Sequence, residues 1–201
     1  MLRFFPFLVI VSSAVQSGAK ECHQFSERIE SPCAKDTVKP SGYVTREYSA
    51  DQLIALTDAT IDGSSWDEAS EQGFEKNFEY ITRNEIPMTS PVLFRRLGGK
   101  WHVSFFVPSS FEKMEDIPKP KDPSVSIKAL SKGARFAVVE FGGFAREGDY
   151  VAQAADLKAA LAKDGVATVD PQNSEWAEIW AGYDSPFVLF NRHNEVLLQL
   201  A

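Results

Sequence analysis

The sequence predicts an α+β domain in which two helices pack on one curved or closed antiparallel sheet. Three observations carry this. A strand–helix–strand–strand order recurs along the chain, each unit spanning about eighty residues. Neither unit has the apolar surface to cover both faces of its own sheet, so the two are expected to share one. With 44% hydrophobic and 24% charged residues among 201, the chain has an ordinary globular balance and enough length for a full core.

The chain opens with Arg3, an apolar run from Phe4 to Val11, and the small residues Ser17-Gly18-Ala19. That pattern predicts a signal peptide over residues 1–19, cleaved after Ala19, and hence a secreted, extracellular protein. Residues 20–42 are polar, hold Pro32 and Pro40, and are expected to form an N-terminal arm ahead of a single domain over 43–201. Cys22 and Cys33, the two cysteines of the chain, are expected to pair as a disulfide in an oxidising compartment. A zinc site using His23 would need a second Cys-x-x-Cys or a nearby His pair, and the sequence has neither.

A strand is expected over 43–58, followed by turn chemistry at Ile61-Asp62-Gly63-Ser64. Ser65 and Glu68 have the spacing of a capping box, which starts a helix over about 66–81. Its apolar arc contains Trp66, Ala69, Gly73, Phe74, Asn77, Phe78, Tyr80 and Ile81. Gly73 weakens the helix by roughly 1 kcal/mol relative to Ala, so a crossing strand is expected against that backbone. Phe74 and Phe78 lie at the edge of the arc, with Glu71 just beyond. Strands are expected at 92–97 and 101–107, turned by Gly98-Gly99, and then a Pro- and Lys-rich extended connector over 108–123. The second unit has strand at 125–127 and 134–141, a helix over 150–162 ending at Gly165, and closing strands at 176–181 and 195–200.

A net charge of −7 with no dense run of Lys or Arg sets nucleic acid aside as a partner. No later segment approaches about 18 consecutive apolar residues, so no membrane span is expected. No Ser sits in a Gly-x-Ser-x-Gly elbow, and neither Gly98-Gly99 nor Gly142-Gly143 continues as a phosphate loop. His23, His102 and His193 fall far apart, on an arm, a strand and a turn. No catalytic residue and no metal site are expected. The feature that stands out is aromatic weight: fifteen Phe, four Trp and five Tyr, recurring near the first helix and the last hairpin. Such rings wall flat apolar ligands, although most of them individually are expected to fill the core.

Ile86-Pro87-Met88-Thr89-Ser90-Pro91-Val92, Phe106-Val107-Pro108, Phe141-Gly142-Gly143-Phe144-Ala145 and Ala181-Gly182-Tyr183-Asp184-Ser185-Pro186, followed by Arg192-His193-Asn194-Glu195-Val196, resemble the SOUL haem-binding protein family. The resemblance implies a duplicated unit forming a distorted antiparallel β-barrel with two flanking helices. It also implies a monomer that binds haem or another tetrapyrrole (a porphyrin) non-covalently. The expected site is an apolar groove between the first helix and the loop before the last strand. Its residues fall at Glu71, Phe74 and Phe78 on the helix and at Phe187 and Val188 on the loop. Some relatives have basic residues at the positions of Glu71 and Val188, where they would pair with propionates. A histidine proposed as axial ligand in some of them corresponds to Glu47 here. Two other uses of such a groove are a small-molecule effector-binding or hydrolase-like site, with Glu178 or Glu47 as its carboxylate, and a surface for a protein partner.

Overall fold

The computed structural model of the chain describes residues 29–63, 65–184 and 188–201. The expected signal peptide, Cys22, His23 and Phe187 lie outside the described residues. Strands β1 (Ala34–Val38), β2 (Val44–Tyr48) and β3 (Ala55–Ile61) lead into helix α1 (Trp66–Arg83) and the hairpin β4 (Val92–Leu97) and β5 (Lys100–Phe106). Strands β6 (Val125–Ala129) and β7 (Arg135–Gly142) then lead into α2 (Glu147–Asp164) and the pair β8 (Glu178–Gly182) and β9 (His193–Gln199). All nine strands form one antiparallel sheet in the order β1-β2-β7-β9-β8-β4-β5-β3-β6.

The sheet curls. Tyr48 on β2 packs on Phe106 of β5, with ring centroids 6.3 Å apart, although four strands lie between them in the sheet. It also meets Phe136 of β7 edge-on at 5.8 Å. One face thus closes on itself around Tyr48, Leu56, Leu93, Phe136 and Leu197. The other face carries α1 and α2. The result is a half-barrel: among the described residues β1 and β6 are edge strands with no pairing between them, where the resemblance implied a distorted barrel.

The seam explains the main departure from sequence expectation. The stretch 43–58, expected as one strand, is two strands at opposite ends of the sheet. Turn chemistry at Ser49-Ala50-Asp51 breaks it, with the Asp51 N–H donating to Ser49 Oγ. Segment 49–54 crosses the seam beside segment 130–134, which links β6 to β7. Tyr48 N–H donates to the Ala134 carbonyl at 3.0 Å and Leu130 N–H to the Ile54 carbonyl at 3.0 Å, so each crossing satisfies the other's backbone. The described end of the expected arm also belongs to the sheet, because β1 pairs with β2 through a turn in which Gly42 has a positive φ of 88°. Its polar sequence reflects an edge position, where most of its side chains meet solvent.

Helix α1 starts where expected. Ser65 Oγ accepts the Glu68 N–H at 3.3 Å, and Ala69, Gly73, Asn77, Tyr80 and Ile81 are buried. Gly73 faces β5, and a Cβ there would run into Val103. Asn77 Nδ2 donates to the carbonyls of Gly73 and Val103, both at 2.8 Å, and so pins helix to strand. On the connector, expected to be extended, a single 3-10 turn forms at Met114–Asp116, and Tyr80 OH donates to the Pro118 carbonyl at 2.5 Å. Helix α2 ends at Gly165 in the left-handed conformation at φ 67°, as its position predicts. Among the described residues, no helix is long and apolar enough to cross a membrane.

Candidate functional site

Strand alternation decides which side chains can meet beneath α1. On β5, Trp101, Val103 and Phe105 point to the helix face, while His102, Ser104 and Phe106 point to the inner face. Phe74 packs on Phe105 with centroids 5.1 Å apart, and Phe78 stacks on Phe74 at 5.7 Å with their planes 14° apart. One turn apart on the helix, they present a continuous aromatic face. They are 38% and 47% exposed, large values for phenylalanine. Glu71, a turn earlier, is exposed as well.

The loop 183–192 leaves the sheet at the same end. Val92 pairs with Phe105 on one side and with Gly182 on the other, so the loop begins two strands from the residue on which Phe74 rests. Val188 is partly exposed, and its carbonyl accepts Arg192 Nη1 at 2.9 Å. Leu189 and Phe190 follow, with Phe190 82% exposed. The expected residues Phe74 and Phe78 are thus brought together, with Glu71 beside them and Val188 on the loop. Leu189, Phe190 and the underlying Phe105 were not anticipated. The apolar run Phe187-Val188-Leu189-Phe190 was visible, but period alone could not say that Leu189 and Phe190 are exposed.

The loop is tied down at its root. Asp184 Oδ2 accepts the His193 N–H at 2.5 Å, and Arg192 Nη2 donates to the Asp184 carbonyl at 3.1 Å. The Arg192 guanidinium lies over Phe144, 4.5 Å from the ring centroid. Tyr183 donates its hydroxyl to Glu195 at 2.7 Å and packs edge-on against His193. Towards the start of the two helices, Trp66 meets Phe94, Trp101, Tyr150 and Trp180 at 4.7 to 5.4 Å. These rings are core, as most of the aromatic residues were expected to be.

Both described histidines lie on the inner face, away from the helices. His102 Nδ1 is 3.0 Å from Asp58, and His193 contacts Glu140 through Nδ1 at 2.8 Å and Glu195 through Nε2 at 3.0 Å. Neither faces the Phe74–Phe78 surface. Ser104 and His102 both bond to Asp58, so the hydroxyl is held by the carboxylate rather than by an imidazole, which is not the order a nucleophile needs. Glu178 is bound to Lys158 at 2.7 Å and to the Trp180 indole at 3.0 Å, while Glu47 is exposed on β2. Among the described residues, no group of three or more His, Cys, Asp and Glu is arranged to hold a metal ion. Cys33 is buried and is not a free thiol; Cys22, its expected partner, lies outside the described residues.

Comparison with known proteins gives a consistent result. The family described as "SOUL heme-binding protein" matches residues 30–199. Heme-binding protein 1 of Mus musculus is 33% identical over 157 residues, 72% of this chain and 76% of that protein. The Sus scrofa protein of the same name is 31% identical over equal shares. Heme-binding protein 2 of Homo sapiens is 30% identical over 172 residues, 80% of this chain and 78% of that one. Among solved structures, SAV2435 bound to tetraphenylphosphonium is a distant likeness, with a TM-score of 0.47 and 13% identity over 79% of this chain and 93% of that one.

Proposed function

Because the chain belongs to the SOUL haem-binding protein family, we propose that it binds haem or another tetrapyrrole, non-covalently and without catalysis, in a groove between α1 and the loop 183–192. The observation that carries the reading is the stacked, half-exposed Phe74–Phe78 pair at the end of the sheet from which that loop departs. A flat macrocycle laid against this exposed aromatic pair gains from the apolar area it buries, at roughly 25 cal/mol per Å². Phe187 and Val188 would form the opposite wall. The residues on hand suit ring stacking better than iron ligation, because His102 and His193 lie on the inner face beside carboxylates. The iron, where present, supplies the spectroscopic signature and is not required for capture.

The same reading includes a monomer, secreted after removal of residues 1–19 and stapled by a Cys22–Cys33 disulfide. The buried Cys33, which is not a free thiol, supports the last point. It further includes a duplicated origin. Exchange of β2-β3-α1-β4-β5 with β6-β7-α2-β8-β9 leaves the strand order β2-β7-β9-β8-β4-β5-β3-β6 unchanged when read from the other end.

The test is a titration of the purified chain with haemin and with metal-free protoporphyrin, read by absorbance and by Trp quenching. Saturable one-to-one binding of both, weakened about tenfold or more by Phe78→Ala, is the expected result. Binding of haemin alone would transfer the site to an iron ligand. Binding of neither at micromolar concentration would remove the function.

A further inference from the structure

We propose that this groove selects flat ring systems with neutral or cationic side arms over dicarboxylate porphyrins. The proposal rests on the groove reading above and narrows the ligand of that same site. Its basis is the sorting of charge around α1.

Five acids lie on the helix, Asp67, Glu68, Glu71, Glu75 and Glu79, against the two bases Lys76 and Arg83. At about 100° per residue, Asp67 falls between Phe74 and Phe78 in projection, and Glu71 about 20° beyond Phe78. Lys76 and Arg83 project roughly to the opposite flank. There Lys76 pairs with Asp122 at 2.9 Å and Arg83 pairs with Glu79. Both bases line a hollow of about 90 Å³ together with Lys119 and Lys121 of the connector. These four cations therefore lie on the flank away from the aromatic face.

On the loop side, Arg192 uses Nη1 and Nη2 on the carbonyls of Val188 and Asp184 and rests on Phe144. Glu71 and Asp67 are exposed, and neither side chain has an ion pair among the described residues. Glu71 is one turn before Phe74, about 4.5 Å along the helix axis, so helix-side substituents of a ring laid on Phe74 and Phe78 come within a Debye length, about 8–10 Å, of its carboxylate, while Asp67, two turns before Phe74, contributes more weakly. Propionates there meet repulsion, and ammonium groups meet attraction. The net charge of −7 adds a longer-ranged bias of the same sign.

The test uses three metal-free mesoporphyrins with one macrocycle: the dicarboxylate, its dimethyl ester and a bis(aminoalkyl)amide with two ammonium groups. Each is titrated into the full chain at low and high salt, followed by porphyrin fluorescence. The expected order of affinity is dicationic, then neutral, then dicarboxylate, with steps of about two- to fivefold at low salt that shrink at high salt. Glu71→Gln narrows the spread, and Glu71→Lys brings the dicarboxylate level with the ester or above it. Phe78→Ala weakens all three alike. If the dicarboxylate binds the unaltered chain as tightly as the dicationic form, while Phe78→Ala still weakens every ligand, the charge proposal is overturned and the groove stands. If Phe74→Ala and Phe78→Ala leave all three affinities unchanged, the groove reading fails, and this proposal with it.

Discussion

Asp58 on β3 and Glu195 on β9 are both buried carboxylates on the inner face of the sheet, each held by an arginine and a histidine, yet they organise the molecule differently. Asp58 takes its partners from the three strands that follow β3: Arg95 of β4, His102 and Ser104 of β5, and the more distant Lys128 of β6. The side chains of Asp58 and Arg95 are fully buried. Glu195 instead reaches across the sheet to Arg46 of β2, at 2.6 and 3.1 Å, and Arg46 in turn grips Asp36 of β1 at 2.8 and 2.9 Å. Its remaining partners are Tyr183, where the loop begins, and His193, where it ends. One network is a lock within half of the sheet. The other joins the edge hairpin to the loop that carries half of the proposed site.

The electrostatics separate them further. Burial alone would raise the pKa of Asp58, but the His102 hydrogen bond, the Arg95 charge and the Ser104 hydroxyl outweigh it and hold the carboxyl at about 2. Burial works the same way on Glu195 and is outweighed by the His193 hydrogen bond and the Arg46 charge, again to about 2. Both are depressed carboxylates, so their stabilisation is present above the ordinary 3.8 and 4.5 and is lost as pH falls through about 2. The Glu195 network also has an alkaline limit. Burial lowers the pKa of His193, but the hydrogen bond to Glu195 and the charges of Glu195 and Glu140 raise it above 6.5 overall. That contribution is complete below 6.5 and fades as pH rises through the elevated value.

The largest effect that sharpens this contrast is expected from Asp58→Asn. Among the described residues it leaves the fully buried Arg95 with only Glu175, 3.5 Å away and partly exposed, as a counter-charge. Urea unfolding should show a loss of about 3–5 kcal/mol, and a loss below about 1 kcal/mol would mean that Arg95 does not depend on Asp58. Glu195→Gln should cost less, about 2–3 kcal/mol, because Asp36 still answers Arg46. Its signature is local: faster amide exchange in β1, β2 and residues 183–192, with β3 to β5 unchanged. Tyr183→Phe removes one hydrogen bond to Glu195 and should cost about 1 kcal/mol, with a double-mutant cycle against Glu195→Gln showing coupling of similar size. The smallest effect is the alkaline one. Loop-root amide exchange, corrected for intrinsic rates, should quicken above neutral pH in the unaltered chain and be flat in His193→Gln. Equal pH dependence around Asp58 would erase the distinction between the networks.

Much of this architecture was legible in residues that report on near neighbours. The spacing of Ser65 and Glu68 located the start of α1, Gly73 announced a strand pressed against the helix, and Gly165 marked the end of α2. The edge position of Phe74 and Phe78 could be read at 100° per residue and is reflected in their exposure. These are consequences of helical and pleated periodicity, which act over a few residues and leave their mark in order and spacing.

What only the tertiary structure decided depends on which distant edges meet. Residues 43–58 look like one strand locally, but the curl places β2 and β3 at opposite ends of the sheet, because segments 49–54 and 130–134 satisfy each other across the seam. Arg46 and Glu195 are 149 residues apart, and nothing near either one predicts the other. Their pairing follows from β7 bringing β2 and β9 to its two sides. Burial of a charge and exposure of Leu189 and Phe190 are likewise properties of a surface assembled from separate segments. A local pattern specifies which face of an element is apolar; only the closing of the sheet on itself determines what that face meets.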